Sequence, residues 1–392
     1  MYRDDLDLLK GLAILGVIFY HMGFCPSGYL GVDLFFVING FLIVPKVLED
    51  ITNERFHYFL FLEKRILRLL PLVLLVSVFV LLSGYYGMLP DDYENLSESV
   101  VATGLFSNNI LAALTTRDYW AASNEYKPLM HMWYVGILFE FYVVTPLFLL
   151  AVKKLSNWRR FAFKKNAVLI LSVLSVISFL LYMSPNINAG DKFYLLPFRF
   201  YELCAGGIAG IWVVSYRQKR LLTNPFLSGT ALAVVAVIIF AGVHYAYSAT
   251  TEYDLVSATV KNGDYIIHPS VLLFSTVLLA TFLCLSDNRR NRLFSILSKG
   301  RVLPLLGMMS YSLFIWHQPF LAFYRYYVGA TTGITFFALF LFGVMVISYA
   351  SYQIVEKRNL LSTGYAKLIG GGYFVDSHFS ISKVVYAGRC SA

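Results

Sequence analysis

A lysine and a histidine stand at opposite ends of the first apolar stretch of this sequence. Lys10 and His21 are eleven positions apart, so on an α-helix they would share one face and lie about 16 Å apart along its axis. One interpretation is a phosphate contact at one end and a proton-transfer group at the other, because imidazole titrates near neutrality. The alternative is a lysine that reaches water and a hydrogen-bonded histidine, and spacing alone favours this second interpretation.

Two arginines are spaced to bind a single anion. Arg65 and Arg68 follow Lys64 at the start of a long apolar run. Residues three apart are neighbours on a helix, so the two guanidinium groups can converge on one negatively charged group. Ordinary anchoring of a helix at the cytoplasmic face of a membrane would produce the same cluster. The spacing does not separate these two interpretations.

Further polar residues interrupt other apolar runs. Arg199 and Glu202 are three apart, and an unpaired charge in a bilayer costs about 2.5–3.5 kcal/mol. We therefore expect a buried ion pair that fixes helix packing. Several titratable groups that face one interior would indicate an aqueous cavity for chemistry or transport. The other candidate positions are Asp33, His131, Trp133, Glu140 and His317.

The composition indicates which elements must position these residues. Of 392 residues, 58% are hydrophobic and 14% are charged, about half the charged fraction of a soluble domain. This composition excludes a disordered chain and a small disulfide scaffold. The net charge of +9 comes from short clusters between apolar runs, which is typical of cytoplasmic loops rather than of a nucleic-acid-binding surface. No metal-ligand spacing, nucleophile elbow or glycine-rich phosphate loop is present. The chain is predicted to be a multi-pass membrane protein without a metal site.

Eleven apolar segments are candidates for membrane helices, which need about 20 residues each. Their approximate ranges are 8–24, 29–45, 66–88, 97–115, 130–152, 166–183, 195–215, 226–246, 266–286, 302–324 and 334–355. The basic clusters share one side of the membrane only if a segment between Arg68 and Lys153 does not span it. The fourth segment is the candidate, because Ser107, Asn108 and Asn109 at its centre are costly against lipid. The sequence predicts an all-α integral membrane fold of about ten transmembrane helices with one re-entrant or buried segment and both termini cytoplasmic.

In the order of its motifs, the chain resembles the membrane-bound acyltransferase-3 family, which O-acylates bacterial surface carbohydrates. The opening YRDDLDLLKGLAILGVIFYH, with Lys10 and His21, is similar to the start of that family. GVDLFFVINGFL resembles its Gly-Val-Asp-x-Phe-Phe-x-x-Ser-Gly-Phe-Leu motif, with Asn39 in the place of serine. Arg65 and Arg68 match its Arg-x-x-Arg pair. The later matches are PLMHMWYVGILFEFYVVTP, the Arg199 to Glu202 segment, SYSLFIWHQP with Tyr311 and His317, and SYQIVEKR with Glu356.

The resemblance implies an acyl-CoA donor, usually acetyl-CoA, no permanently bound cofactor, and a carbohydrate or lipid-linked glycan as acceptor. It implies that His21 is catalytic, and Asp33 is a candidate to orient its imidazole. Lys10, Arg65 and Arg68 would hold the anionic nucleotide at the cytoplasmic face. The positions assigned to structure or to the substrate pocket are His131, Trp133, Arg199, Glu202, Tyr311, His317 and Glu356.

The resemblance covers about residues 2–358, so we expect a transmembrane domain at 1–358 and a short cytoplasmic tail at 359–392, which is too short for an independent core. We expect the bacterial cytoplasmic membrane as its location, with no nucleic-acid partner and with the oligomeric state left open. The family commonly carries Glu where this chain has Leu138, so Glu140 stays outside the catalytic set. The alternatives are a multi-pass transporter of an envelope precursor or small solute, and a structural or flippase-like partner in envelope assembly. The absence of an inverted repeat argues against a transporter.

Overall fold

The computed structural model describes residues 3–25, 27–116, 122–156, 160–215, 225–241, 269–286, 288, 291–329 and 334–357. Within these ranges the protein is helical and contains no β-strand, which confirms the predicted all-α class. The predicted cytoplasmic tail at 359–392 lies outside the described residues. The predicted domain boundary at residue 358 therefore stays a prediction.

The helices follow the apolar segments of the sequence, because a helix satisfies its own backbone hydrogen bonds where no water is available. The first group is α1 (Asp4–His21), α2 (Gly31–Thr52), α3 (Tyr58–Tyr85), α4 (Pro90–Gly104), α5 (Asn108–Thr115), α6 (Trp133–Leu155) and α7 (Arg160–Met183). The second group is α8 (Ala189–Tyr194), α9 (Leu196–Ser215), α10 (Pro225–Ala241), α11 (Pro269–Leu285), α12 (Arg292–Lys299), α13 (Val302–Met308), α14 (Ser310–Val328) and α15 (Ile334–Ser351). Short 3-10 turns at Gly28–Leu30, Ala122–Tyr126 and Met130–Met132 and a π-turn at Tyr352–Glu356 complete the described elements.

By length and composition, five helical stretches of the described chain could cross a membrane. They are Gly28–Thr52, Tyr58–Tyr85, Met130–Leu155, Ala162–Met183 and Thr335–Glu356. The apolar helices at Phe226–Phe240 and Leu272–Leu285 are shorter. Helix α1 differs from these stretches because its first two turns contain three aspartates and Lys10. The membrane character of the protein is supported, whereas the count of ten spans and the cytoplasmic termini stay predictions.

The fourth apolar segment is broken into two helices. Helix α4 ends at Gly104 and α5 begins at Asn108, with Phe106 between them in the left-handed region at φ 56°. Asn109 is fully buried, and its amide donates to Glu140 at 2.9 Å and to the backbone carbonyl of Tyr194 at 3.2 Å. The polar centre of this segment is thus buried inside the bundle, as its cost against lipid predicted. The amide nitrogen of Asn109 has partners there, and its buried amide oxygen has none within the described residues.

The prediction of one continuous helix at 302–324 was wrong. The segment 302–324 is divided at Met309 into α13 and α14. Helix α13 lies against α1 so closely that a Cβ atom at Gly307 would be 1.7 Å from the carbonyl oxygen of Asp7. The close contact with α1 holds α13 as a separate short helix, and the longer α14 continues from Ser310.

The tight contact between α2 and α9 sets the geometry of the site. These helices run parallel, and a Cβ atom at Gly40 would lie 1.9 Å from the carbonyl oxygen of Leu203. Such close backbone packing in a membrane bundle requires small residues. Asp33 lies about two helical turns before Gly40, and Arg199 lies about one turn before Leu203. The side chains of Asp33 and Arg199 meet at 3.0 Å on this side of the contact.

Candidate active site

Three histidines from distant parts of the sequence meet in the bundle. The ring of His317 on α14 is 5.2 Å, centroid to centroid, from the ring of His21 at the end of α1. The same ring is 5.2 Å from that of His131 in the 3-10 turn before α6. Rings at this separation are in contact. His131 and His317 are buried, and His21 is half-buried. His317 therefore lies between the other two.

The ring of His317 is held in one orientation by its own helix. Its Nδ1 lies 2.7 Å from the carbonyl oxygen of Phe314 and 3.2 Å from that of Leu313. Carbonyl oxygens only accept hydrogen bonds, so Nδ1 carries the proton in these contacts. In the neutral ring, Nε2 is then the unprotonated nitrogen. Within the described residues this buried Nε2 has no hydrogen-bond partner.

The position of His21 is fixed by an arginine that the sequence analysis did not single out. Arg325 on α14 donates from Nη2 to the backbone carbonyl of His21 at 2.6 Å, and its other nitrogen lies 3.4 Å from Glu125. The last carbonyls of a helix lack partners within the helix, and a basic side chain satisfies them well. Arg325 thus ties the end of α1 to α14. No spacing in the sequence signals a contact across this distance.

A buried ion cluster lies beside the histidines. The guanidinium of Arg199 contacts Glu202 at 3.0 Å and Asp33 at 3.0 Å. The exposed fractions of Arg199, Asp33 and Glu202 are 4%, 2% and 0%. Arg199 also donates to the carbonyl of Phe193 at 3.3 Å and lies over its ring. The predicted Arg199–Glu202 pair is confirmed, and Asp33 is its unforeseen third member.

A narrow cavity joins His21 to this ion cluster. Its walls include His21, Asp33, Trp133 and Arg199 together with apolar and tyrosine side chains. It has room for about one water molecule. Within the described part of the chain, no hydrogen bond joins the carboxylate of Asp33 to the ring of His21, because that carboxylate binds Arg199. Asp33 therefore faces the same space as His21 without the direct contact expected of an orienting group.

Two arginines occupy the other end of the polar interior. Arg65 on α3 lies 5.0 Å above the ring of Phe61 and 5.4 Å from that of Tyr142, and its Nε is buried without a hydrogen bond. Arg68 lies one turn further along α3. Within the described ranges neither arginine forms an ion pair with a carboxylate. Two half-buried guanidinium groups that form no ion pair within the described residues can receive an anionic ligand.

Three other candidate residues already have partners within the protein. Lys10 forms an ion pair with Asp7 at 3.1 Å. The hydroxyl of Tyr311 donates to the backbone carbonyl of Leu69 at 2.8 Å. Glu356 accepts a hydrogen bond from Ser312. Of the three predicted nucleotide-binding residues, Lys10 thus has an ion-pair partner, and the two arginines have none within the described ranges. Glu356 lies close enough to Arg68 for the two charges to interact, without an ion-pair contact.

Asn39, Tyr134 and Tyr142 form a polar group between the histidine cluster and the two arginines. The sequence analysis gave this group no role. The amide nitrogen of Asn39 donates to the carbonyl of Phe35 at 2.8 Å and contacts the hydroxyl of Tyr134 at 3.0 Å. The hydroxyl of Tyr142 lies 3.5 Å from its amide oxygen. Tyr142 contacts Arg65, and Tyr134 packs 5.0 Å from Phe314 beside the histidines. In the sequence, this polar group was indicated only by Asn39, which stands where the family usually has serine.

A helical membrane bundle with titratable side chains gathered in its interior is the class of protein that this fold and site define. The sequence model of the family described as "Acyltransferase domain" matches residues 3–353. The chain belongs to this acyltransferase-3 family, as the motif resemblance predicted.

The names of similar proteins agree with the family assignment. The chain is 25% identical over 366 residues to the O-acetyltransferase OatA of Staphylococcus aureus, covering 91% of this chain and 57% of the relative. It is 25% identical over 329 residues to the peptidoglycan O-acetyltransferase OatA of Listeria monocytogenes, covering 81% and 49%. The provisionally named membrane-bound transacylase BcsY of Komagataeibacter xylinus is 26% identical over 369 residues, covering 91% and 83%. The chain thus spans about half the length of the OatA proteins. No solved structure matches it.

Proposed function

We propose that this protein moves an acyl group, most simply acetyl, from cytoplasmic acyl-CoA to a hydroxyl of a cell-envelope carbohydrate in the bacterial cytoplasmic membrane. The observation that carries this proposal is that one bundle contains a histidine cluster and two arginines that form no ion pair within the described residues. The arginines suit the phosphates of a nucleotide donor, and the imidazoles suit removal of a hydroxyl proton. Membership of the acyltransferase-3 family and the names of the relatives support the same reaction.

The donor would enter at the end of α3. Arg65 and Arg68 would bind the phosphates of coenzyme A, because guanidinium groups match phosphate oxygens in a two-pronged geometry. Lys10 would contribute less, since Asp7 already neutralises part of its charge. The pantetheine arm would then pass the polar group of Asn39, Tyr134 and Tyr142 on its way to the histidines.

His21 would act as the general base. Its imidazole would take the proton from the acceptor hydroxyl while the oxygen attacks the thioester carbonyl. The carbon–sulfur bond would then break, and the proton would pass to the departing thiolate of coenzyme A. Direct transfer of this kind needs no acyl-enzyme intermediate. His21 is suited to it because its half-buried ring lines the cavity beside the ion cluster.

The acceptor is a polymer or lipid-linked glycan with a free hydroxyl. One relative is named for acetylation of peptidoglycan, so soluble peptidoglycan fragments are the first probe. The identity of the sugar and hydroxyl would follow from mass spectrometry of envelope glycans in cells with and without the gene.

The test uses the full chain in lipid nanodiscs with radiolabelled acetyl-CoA and soluble peptidoglycan fragments. Wild type should transfer label to the fragments, and His21→Gln should lose about 10²–10⁴-fold in rate while binding of acetyl-CoA persists. His57→Gln is the matched control, because His57 lies just before α3 and is exposed. Wild-type protein without saturable binding of acetyl-CoA would refute the proposed donor. Equal transfer by wild type and His21→Gln would refute the proposed base.

A further inference from the structure

The cluster contains a second histidine whose geometry suits proton transfer. His317 touches both His21 and His131, and its exposed fraction is 0%. Its Nδ1–H is committed to the carbonyl of Phe314 at 2.7 Å. This bond directs the opposite nitrogen, Nε2, away from the carbonyls of its own helix. A buried nitrogen with an open lone pair, beside a half-buried histidine, is placed to receive a proton.

We propose that His317 is the proton acceptor behind His21 in the transfer reaction. This inference rests on the proposed function, in which His21 removes the proton of the acceptor hydroxyl. His317 would take that proton from the ring of His21 on Nε2, which leaves His21 neutral while the C–O bond forms. When the C–S bond breaks, the proton would return through His21 to the thiolate sulfur of coenzyme A. Every proton that leaves the hydroxyl is thus delivered to the thiol, and no further reactant is needed.

The hydrogen bond to Phe314 prepares His317 for this role. When Nε2 accepts a proton, the ring becomes an imidazolium, and its Nδ1–H bond to the carbonyl becomes charge-assisted and stronger. This bond holds the ring of His317 in place in both protonation states. Because Nε2 has no hydrogen-bond partner within the described residues, the half-buried ring of His21 is the group that turns to bring its nitrogen to Nε2. His317 is in this sense a positioning and relay residue, since it acts on the substrate through His21.

A purely structural role for His317 predicts different behaviour. A packing histidine would stabilise α14 against the turn that carries His131, and its replacement would reduce folding and substrate binding together. A relay histidine would instead affect the chemical step. The measurement that separates these roles is the division of the effect between kcat and the KM for acetyl-CoA.

The experiment compares three variants of the full chain in nanodiscs. His317→Asn keeps a donor at the position of Nδ1 for the carbonyl of Phe314 and removes Nε2. His317→Ala leaves space for added imidazole. His131→Asn is the matched control, because His131 is also buried and also touches His317, while no ring contact joins it to His21 within the described residues. Release of coenzyme A from acetyl-CoA is followed in the presence of soluble peptidoglycan fragments.

We expect His317→Asn to lower kcat by about 10²-fold with the KM for acetyl-CoA changed by less than about twofold. Imidazole should restore part of kcat in His317→Ala and none in His131→Asn. A kcat for His317→Asn close to that of wild type would overturn the relay. Loss of acetyl-CoA binding in both His317 variants, or no effect of imidazole on a folded His317→Ala, would assign a structural role and overturn it as well. Wild-type protein that fails to use acetyl-CoA would overturn the proposed function and the relay with it, whereas the other outcomes concern the relay alone.

Discussion

The two ends of the buried polar interior are built in opposite ways. At the histidine end, side chains are held by other groups of the protein: Arg199 by two carboxylates, His317 by the carbonyl of Phe314, and the end of α1 by Arg325. At the arginine end, Arg65 and Arg68 have no carboxylate partner within the described residues. A site that performs chemistry benefits from groups fixed in advance. A site that binds a charged ligand benefits from charges that the protein leaves uncompensated.

The largest effect should come from breaking the ion cluster at the histidine end. Arg199→Met would leave Asp33 and Glu202 buried without their cation, and loss of one partner from a buried pair costs about 3–5 kcal/mol. We expect this fall in the free energy of unfolding in detergent titrations. Lys46→Met is the control, because the Lys46–Asp50 pair is about one-third exposed and such pairs contribute about 0–1 kcal/mol. Equal losses for the two variants would contradict the distinction between a fixed cluster and an exposed pair.

The next effect concerns the arginine end and should appear in binding rather than in stability. Arg65→Ala or Arg68→Ala should each weaken binding of acetyl-CoA by about tenfold or more, since a hydrogen bond to a charged group contributes about 1.5–3 kcal/mol. The melting temperature should change little, because neither substitution breaks an ion pair of the described residues. Isothermal titration with acetyl-CoA measures the first quantity. Lys64→Ala on the same helix is exposed and should bind as wild type does. Unchanged affinity in the arginine variants would leave Arg65 and Arg68 as membrane anchors.

The scaffold that connects the ends can be tested at the α2–α9 contact. Gly40→Ala would place a methyl group 1.9 Å from the carbonyl oxygen of Leu203, and overpacking of this kind costs about 1–3 kcal/mol. We expect a lower melting temperature and slower transfer, with binding of acetyl-CoA less affected. Gly343→Ala is the control, because a Cβ atom at Gly343 meets nothing within 4 Å. If Gly40→Ala were as stable as Gly343→Ala, α2 and α9 could move apart without loss of stability, and the contact would not set the geometry of the site.

The smallest effect should follow from Lys10→Gln. Because Asp7 pairs with Lys10 at 3.1 Å, the lysine offers a ligand less net positive charge than the two arginines do. We expect affinity for acetyl-CoA to fall by less than about fivefold, which corresponds to a loss of under about 1 kcal/mol of binding free energy. The comparison is made by titration beside Arg65→Ala. A loss as large as that of the arginine variant would place Lys10 in direct contact with the donor.

The sequence predicted the fold where a local rule was sufficient. The apolar runs predicted most helices, and the polar residues at positions 107–109 marked the segment that is broken between α4 and α5. The break at Met309 was not predicted, because it depends on how α13 packs against α1. Asn109 illustrates the same limit: its polarity was visible, while its partners Glu140 and Tyr194 were not.

In the candidate site, too, the sequence predicted local contacts and missed those between distant segments. The Arg199–Glu202 pair followed from a spacing of three on one helix. Asp33 lies 166 positions from Arg199, so its place in the cluster could not be read from spacing. Arg325 carries no local signal at all, since its importance lies in reaching the carbonyl of His21. Each of the three histidines was a candidate alone, and none indicated the other two.

By itself, the sequence determined what short-range physics can determine: which stretches are apolar enough to form helices, which charged residues must find partners, and which face of a helix a residue occupies. The tertiary structure alone decided which partners they found. Contacts between distant segments depend on how whole helices pack, and that packing is set by close approaches such as the one at Gly40. The gathering of His21, His131 and His317 is therefore a property of the assembled bundle rather than of any one motif.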